Sequence, residues 1–534
     1  MTGDRRVLTA GSDGLLVEVA DLDEALALFA SLRDAPPIGV RELVPAARTV
    51  LVRFDEARTT AAALTAEVRA RSLGDGGVVE GPLVEVPVCY DGADLDEVAR
   101  TVGLTPAEVV ARHTAAPWTV AFTGFAPGFA YLAGGDPALD VPRRTESRTS
   151  IPAGSVGLAG RFSGIYPRAS PGGWQLIGRT GLVMWDLTRD EPALLAPGTR
   201  VQFVDAGPDA LAPAPTSGAA PARPGRPDGP ALEVVSPGPL AVVVDLGRPG
   251  RAASGVARSG AVDRGALRRA NRLVGNPAGT PALEVAAGGL HVRARGDVVV
   301  AVTGASVPVT RTGADGTDDD GGGAESEEAI DGLDRALALD DGSGLRLGAP
   351  ARGLVTYLAV AGGVDVAPVL GSASTDLLAG IGPGPLRAGA VLAVGRAREA
   401  AVAAEPDPGP RLPAADEVTA IDVLLGPRDD WFTAAGVARF LGQEWTVTPR
   451  SNRVGLRLSG SEPLERSVTD ELPSEGTVPG SVQVPPTGQP VVFTADHPVT
   501  GGYPVIACVA RHHLDLVGQV PVGGRIRFRA VRGG

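Results

Sequence analysis

Apolar and polar positions change period several times along the first ninety residues, and each change marks an element. Residues 15–20 are a short apolar run that reads as a strand. Asp21 starts a helix with Glu24 three residues on, a capping-box arrangement. Leu22, Leu26, Phe29 and Leu32 then recur at helical spacing. Residues 49–54 are β-branched and apolar, residues 59–71 are an alanine-rich helix, and residues 83–90 alternate as a strand does. This order predicts a small α+β unit over residues 1–90, a split β-α-β-β-α-β sandwich of the ferredoxin-like kind. Its role is read as packing or dimerisation rather than chemistry.

Thr105-Pro-Ala-Glu108 is another helix start, with cap, first-turn proline and third-position glutamate. It opens the second of two short helices and ends near His113. From there to residue 204 short strands alternate with glycine turns, the pattern of a β-barrel. Residues 206–230 are rich in Pro, Ala and Gly without periodicity and read as a linker. Short β runs return from residue 232 to 528, including 240–245, 298–303 and 481–484, with helices expected at 262–273 and 430–441. Residues 313–328, acidic and glycine-rich, read as a mobile surface insertion, and 399–415 as a second linker-like stretch. The expected layout is an N-terminal unit (1–90), a barrel (91–205), the linker (206–230) and two further barrel halves (231–400 and 416–534). The fold class is mainly β with α+β.

Composition narrows the function classes. A chain of 534 residues exceeds one core, and 44% hydrophobic with 21% charged residues is ordinary for a soluble globular protein. The net charge of −13 argues against nucleic acid or an anionic membrane surface as partner. Two cysteines, Cys89 and Cys508, give no disulfide framework. No apolar leader or membrane-length apolar run is read, so the expected location is cytoplasmic. All 49 basic residues are arginine. Without lysine the chain cannot carry covalent biotin, form a Schiff base or complete a Walker-type phosphate loop.

Candidate chemistry concentrates in residues 122–180, which contain FTGFAPGFAYL, PAGSVGLAG, GIYP and SPGGWQLIGRT. Glycine permits close ligand approach, and Tyr131, Tyr166 and Trp174 offer flat faces with polar tips, so the segment reads as a pocket. His113 ends a helix, which favours its protonated form; it can hold a carboxylate or move a proton, a core role being the other reading. Ser155 can present a hydroxyl to an oxyanion, or be a plain turn serine. Arg143, Arg144, Arg148 and Arg179 offer forks for carboxylate or phosphate, and Gln175 suits an amide. Arg144, Gln175 and Arg179 join Tyr131 and Trp174 as the substrate-binding candidates. Asp496, His497, Thr500 and Tyr503 form a dense polar set on a glycine hinge, or a polar turn; Asp496, Thr500 and Tyr503 join His113 and Ser155 as catalytic candidates. Ser259 and Asp263 precede a helix, and Asp263 can simply cap it. The five histidines lack zinc-type spacing, and the pair His512-His513 has no carboxylate framework, so no metal is expected.

These motifs carry a resemblance. Residues 122–132, 152–160 and 170–180 resemble the first domain of the allophanate-hydrolase-subunit family, which includes the B component of bacterial ATP-dependent 5-oxoprolinases and half of the carboxyltransferase domain of urea carboxylases. DLGRPG (245–250), SGAVDRGALRRANRLVGN (259–276), YLAVAGGVDV (357–366), VPGSVQVPPTGQPVV (478–492) and TADHPVTGGYP (494–504) resemble the partner family, the C component of 5-oxoprolinases. The resemblance implies cyclophilin-like barrels, a natural fusion of the B and C components, and ATP-driven opening of 5-oxo-L-proline to L-glutamate. ATP, with Mg, would be shared with a partner, an A-type subunit of the LamB/YcsF family; self-association stays open. Two other readings remain: a biotin-dependent carboxyltransferase acting on urea or a similar amide, and a regulator of a sensor histidine kinase. The last arises because the first half also resembles a sporulation-kinase inhibitor family.

Overall fold

The computed structural model describes residues 5–73, 81–124, 126–144, 146, 148–207, 229–313 and 327–532. Most of the expected linker (208–228) and of the expected insertion (314–326) lies outside the described residues. Residues 327 and 328, assigned to that insertion, instead begin the strand Glu327–Ile330, paired with Val309–Thr312.

The N-terminal sheet runs Arg6–Thr9, Gly14–Glu18, Thr49–Phe54, Val40–Pro45, all antiparallel. The helix Leu22–Asp34 lies against it. Asp21 accepts from Glu24 N (2.9 Å) and Glu24 returns to Ala20 N (3.0 Å), which satisfies the orphan donors of the first turn. The helix buries Leu22, Ala25, Leu28, Phe29 and Leu32. The predicted last strand of this unit needs correction. Leu83–Val88 pairs in parallel with Arg200–Asp205 in the next sheet, and Arg6–Thr9 takes the edge beside Gly14–Glu18. Period reveals that a strand exists but not which edge it joins.

That next sheet has the order Gln175–Arg179, Ser155–Ala159, Phe162–Ile165, Ala130–Ala133, Trp118–Thr123, Arg200–Asp205, Leu83–Val88. Its two ends meet: Cys89 and Arg179 exchange backbone hydrogen bonds of 2.8 and 2.9 Å, which closes the barrel. The C-terminal strands close likewise, with Val418–Leu425 and Arg525–Ala530 as the parallel first and last strands. The helix expected at 430–441 starts later, at Ala434–Gly442, because Thr433 is its cap and Asp429–Trp431 forms a separate 3-10 turn. Residues 231–397, expected as a barrel half, form a seven-stranded and a five-stranded sheet sharing one apolar core. The helix Arg264–Leu273 covers the outer face of the smaller sheet.

The two closed barrels repeat one another. Trp118 Nε1 donates to His113 O and Trp445 Nε1 to Phe440 O, at 3.0 Å in both and five residues back in both. His113 stacks on Phe203 of the last strand at 4.2 Å, and Phe440 on Phe528 at 4.5 Å. A Cβ at Gly135 would meet the Trp118 ring at 2.0 Å, and one at Gly460 the Trp445 ring at 2.6 Å. Each barrel thus needs a glycine under its tryptophan.

The N-terminal unit is docked rather than free. Leu16, Val44 and Leu51 share a buried cluster with Ala252 and Ala257 of the middle unit and Val478 and Val505 of the second barrel.

Candidate functional site

Where these three units meet, a cavity of about 410 Å³ opens. The turn Gly11–Asp13 forms one wall, with Arg41 and Arg53 from neighbouring strands. Arg258, Arg264 and Arg268 form a second, and the Val478-Pro479-Gly480 turn, Arg511 and Asp515 a third. Two motifs singled out in the sequence, SGAVD and VPGSV, therefore face one cavity. Asp263 caps the helix by accepting from Ala266 N (2.8 Å), so its capping role is realised. Asp515 reaches from the second barrel to the backbone N–H groups of Arg264 (3.1 Å) and Gly265 (3.0 Å), tying the barrel to the same helix start. Burial, then the repulsion of Arg258, pulls the Arg264 guanidinium down to about 10. Burial and Asp515 push Asp263 up to about 6.

Behind this cavity lies a buried ionic network. Arg453 holds Asp496 with two bonds, Nε at 2.9 Å and Nη2 at 3.0 Å, pairs with Glu284, and donates to Gly260 O (2.8 Å). Asp496 also accepts from Ser259 Oγ (2.6 Å) and Leu377 N (3.0 Å). Glu284 accepts from Tyr357 OH (2.7 Å) and Val262 N (2.9 Å). Ser259 holds a φ of 53°, strained for a residue with a Cβ, and is fully buried. Beside the network Asp376 is pushed up to about 6, first by burial and then by the charge of Asp496.

The predicted site residues scatter. Asp496 is fully buried with every lone pair engaged, Thr500 packs against Gly124 of the first barrel, and Tyr503 is 45% exposed on the surface. The catalytic set expected from one short segment is therefore not one site. A glycine hinge sends successive side chains to different faces. His497 stacks on Phe493, with Nδ1 2.8 Å from Pro498 O, and burial pulls it down to about 4. His113 is also corrected: burial, not the helix end, decides its charge and pulls it down to about 3. It bonds Tyr90 OH (2.7 Å) and Ser163 Oγ (2.9 Å) inside the barrel and occupies the place of Phe440 in the other.

On the first barrel's outer face Tyr131 and Trp174 pack into an aromatic cluster with Phe122 and Phe129, beside Leu22 and Ala47 of the N-terminal unit, rather than lining an open pocket. Tyr131 stacks on Phe122 at 4.4 Å, and its ring meets Trp174 edge-on at 5.5 Å. Arg144 is spent on Asp94 (2.8 Å), which Arg148 also grips with two bonds. Those forks hold Asp94 below its usual range against the opposing effect of burial. Gln175 donates to Pro142 O (3.3 Å) while its buried Oε1 has no partner among the described residues. Arg179 is exposed and paired with Asp91 (2.8 Å). Gln175 and Arg179 sit four residues apart on one strand, with a register shift between Leu176 and Gly178. Ser155 lies opposite Arg179, and its carbonyl accepts from Tyr166 N (2.9 Å).

The absence of a carboxylate beside His512-His513 is corrected too. The strand Val418–Leu425 brings Asp422 to 2.9 Å from His512 Nε2, and the three groups could converge on an ion. Two of their atoms are already engaged: Arg529 Nε donates to Asp422 (2.6 Å) and His513 Nδ1 accepts from Asp422 N (2.8 Å).

Comparison with known proteins fits this two-part layout. Residues 5–195 match the family described as carboxyltransferase domain, subdomain C and D, and residues 254–530 match carboxyltransferase domain, subdomain A and B. The chain is 38% identical over 300 residues to the C component of the 5-oxoprolinase of Escherichia coli K12, covering 56% of this chain and 90% of that protein. It is 50% identical over 128 residues to the B component of the 5-oxoprolinase of Escherichia coli O157:H7, covering 23% of this chain and 59% of that protein. The match to the B component thus spans about six tenths of that relative's length. A crystal structure of a protein titled TTHA0988 is 36% identical and covers 97% of this chain and 99% of its own, with a TM-score of 0.81. The chain belongs to the carboxyltransferase-domain family, as a fusion of regions that resemble the B and the C components of 5-oxoprolinase.

Proposed function

We propose that this chain is the B/C component of an ATP-dependent 5-oxoprolinase and opens 5-oxo-L-proline to L-glutamate together with an A-type subunit of the LamB/YcsF family. The observation that carries the reading is the arginine-lined cavity, whose walls come from both the B-like and the C-like halves. The lactam is a stable amide. Transfer of the γ-phosphoryl group of ATP to its oxygen yields ADP and converts that oxygen into a leaving group. Water then adds to the ring carbon and the C–N bond breaks, leaving an acyl phosphate that a second water hydrolyses to L-glutamate and phosphate. His113, His497 and Asp496 are each committed to internal contacts, so the partner is the expected source of the base. ATP as a substrate fits a cytoplasmic location.

The test mixes the purified chain with the A-type subunit, ATP, Mg and 5-oxo-L-proline and follows ADP and glutamate. Turnover is expected only in the mixture. Turnover by this chain alone, or none in the mixture, refutes the reading. A carboxyltransferase acting on urea or a similar amide is the second reading, favoured by the family description. Transfer of carboxyl from carboxybiotin to urea by the purified chain would establish it.

A further inference from the structure

We propose that the cavity between the three units is a phosphoryl-binding site, with Arg258, Arg264 and Arg268 as its ligands. The inference rests on the preceding reading only for the choice of phosphoryl donor; the charge argument stands on the cavity itself. Six arginines and two aspartates line it. Three arginines are already paired: Arg53 with Asp13, Arg41 with Asp55 (2.7 Å) and Arg511 with Glu56. Among the described residues Arg258 donates only to Leu246 O (3.1 Å), and Arg264 only to Ser259 O (3.4 Å). Neither these two nor Arg268 has a carboxylate partner among the described residues. Asp515 remains, and its oxygens already accept two backbone N–H groups. Three guanidinium groups against one carboxylate leave two positive charges to be matched.

A cluster of like charges in a partly desolvated cavity is unfavourable unless an anion offsets it. Two features show that this cost is carried here. Arg264 Nε is buried without a partner among the described residues, and the Arg264 cation is disfavoured by burial and by Arg258. Arg264 and Arg268 stand four apart on one helix, so their forks lie on one face. A carboxylate has two oxygens and is satisfied by one fork; a terminal phosphoryl group has three and accepts from several forks at once. The number of free forks and the double charge both select the phosphoryl group. The helix start is not the site, because Asp263 and Asp515 already occupy its donors. The volume of about 410 Å³ suits a small phosphorylated molecule.

The experiment is calorimetric titration of the full-length chain alone, at constant ionic strength, with inorganic phosphate, ATP, acetyl phosphate and acetate. Saturable binding of phosphate or of a phosphorylated probe is expected. Arg258→Ala and Arg268→Ala should each weaken it at least tenfold, as loss of a charge-assisted bond does. Arg268→Lys should recover only part, since a point charge lacks the fork. Arg100→Ala, which removes an exposed pair with Glu97, should change nothing. Tighter binding of ATP marks a nucleotide as the source of the phosphoryl group; tighter binding of acetyl phosphate marks an acyl phosphate. If one arginine variant fails to fold by near-ultraviolet circular dichroism, the other decides. No saturable binding, binding unchanged in the arginine variants, or acetate bound as tightly as phosphate overturns the proposal. Such a failure alongside intact turnover in the mixed assay removes the site and leaves the reaction standing.

Discussion

Arg453→Met tests whether the ionic network behind the cavity is scaffold or machinery. Arg453, Asp496 and Glu284 are all buried, and the guanidinium is the cation that both carboxylates share. Removing one partner of a buried pair costs about 3–5 kcal/mol, and two stranded carboxylates put this variant at the upper end. Urea unfolding followed by tryptophan fluorescence reads the loss. Adding Glu284→Gln and Asp496→Asn to Arg453→Met should recover most of the loss, because neutral amides need no counter-ion. A stability within about 1 kcal/mol of the parent, or a triple variant no more stable than Arg453→Met, refutes the reasoning. So does an Asp496→Asn protein that is fully stable yet dead in the mixed assay, for Asp496 would then be chemistry after all.

Two other substitutions discriminate as cleanly. His113→Phe copies Phe440 of the second barrel; it should fold, lose about 1–3 kcal/mol from the stranded Tyr90 and Ser163 hydroxyls, and keep partner-dependent turnover. Because His113 is pulled from 6.5 to about 3, its neutral form contributes stability above pH 6.5 that is lost as the pH falls toward 3. The variant's urea midpoint should therefore fall less steeply in acid, and an unchanged acid limb would count against a buried neutral imidazole. Arg179→Ala removes an exposed pair with Asp91 and should leave the urea midpoint and KM at the parent values. A ten- to hundredfold rise in KM would restore its role in substrate binding.

Elements were more legible in this sequence than partners. Asp21, Thr105 and Asp263 announced three helices, because a cap is a local signal that needs only neighbouring residues. The strand at residues 83–88 was visible, but its transfer to the barrel was not, since its partner is more than a hundred residues away. The same distance defeated the site. Aromatic and glycine density drew attention to residues 122–180, where Tyr131 and Trp174 pack the first barrel's outer face against Leu22 and Ala47 of the N-terminal unit. Arg41 and Arg53 carry no local motif. What linked them to Arg264 and Arg268 is the docking of three units, which leaves no local trace. The available signal was the arginine-rich helix after SGAVD, whose unmatched charge on one face could have been followed. His512-His513 teaches the same point, because Asp422 lies ninety residues upstream of His512 in the chain.

The cavity has walls from three separately cored units, so whatever occupies it also acts on how firmly those units hold together. Binding and docking share one free-energy cycle. If docking makes the arginine cluster a better trap for an anion by some factor, the bound anion must tighten docking by that factor. Arg41 and Arg53 of the N-terminal unit and Arg511 of the second barrel line the same cavity, so an anion held by Arg258, Arg264 and Arg268 of the middle unit also meets cations of both neighbours. At a ligand concentration one hundred times its dissociation constant, the assembled form gains about 2.7 kcal/mol, a large share of what usually separates folded from unfolded. The chain would thus sense its own occupancy through its mechanical coherence, stiffening when charged and loosening when the product leaves.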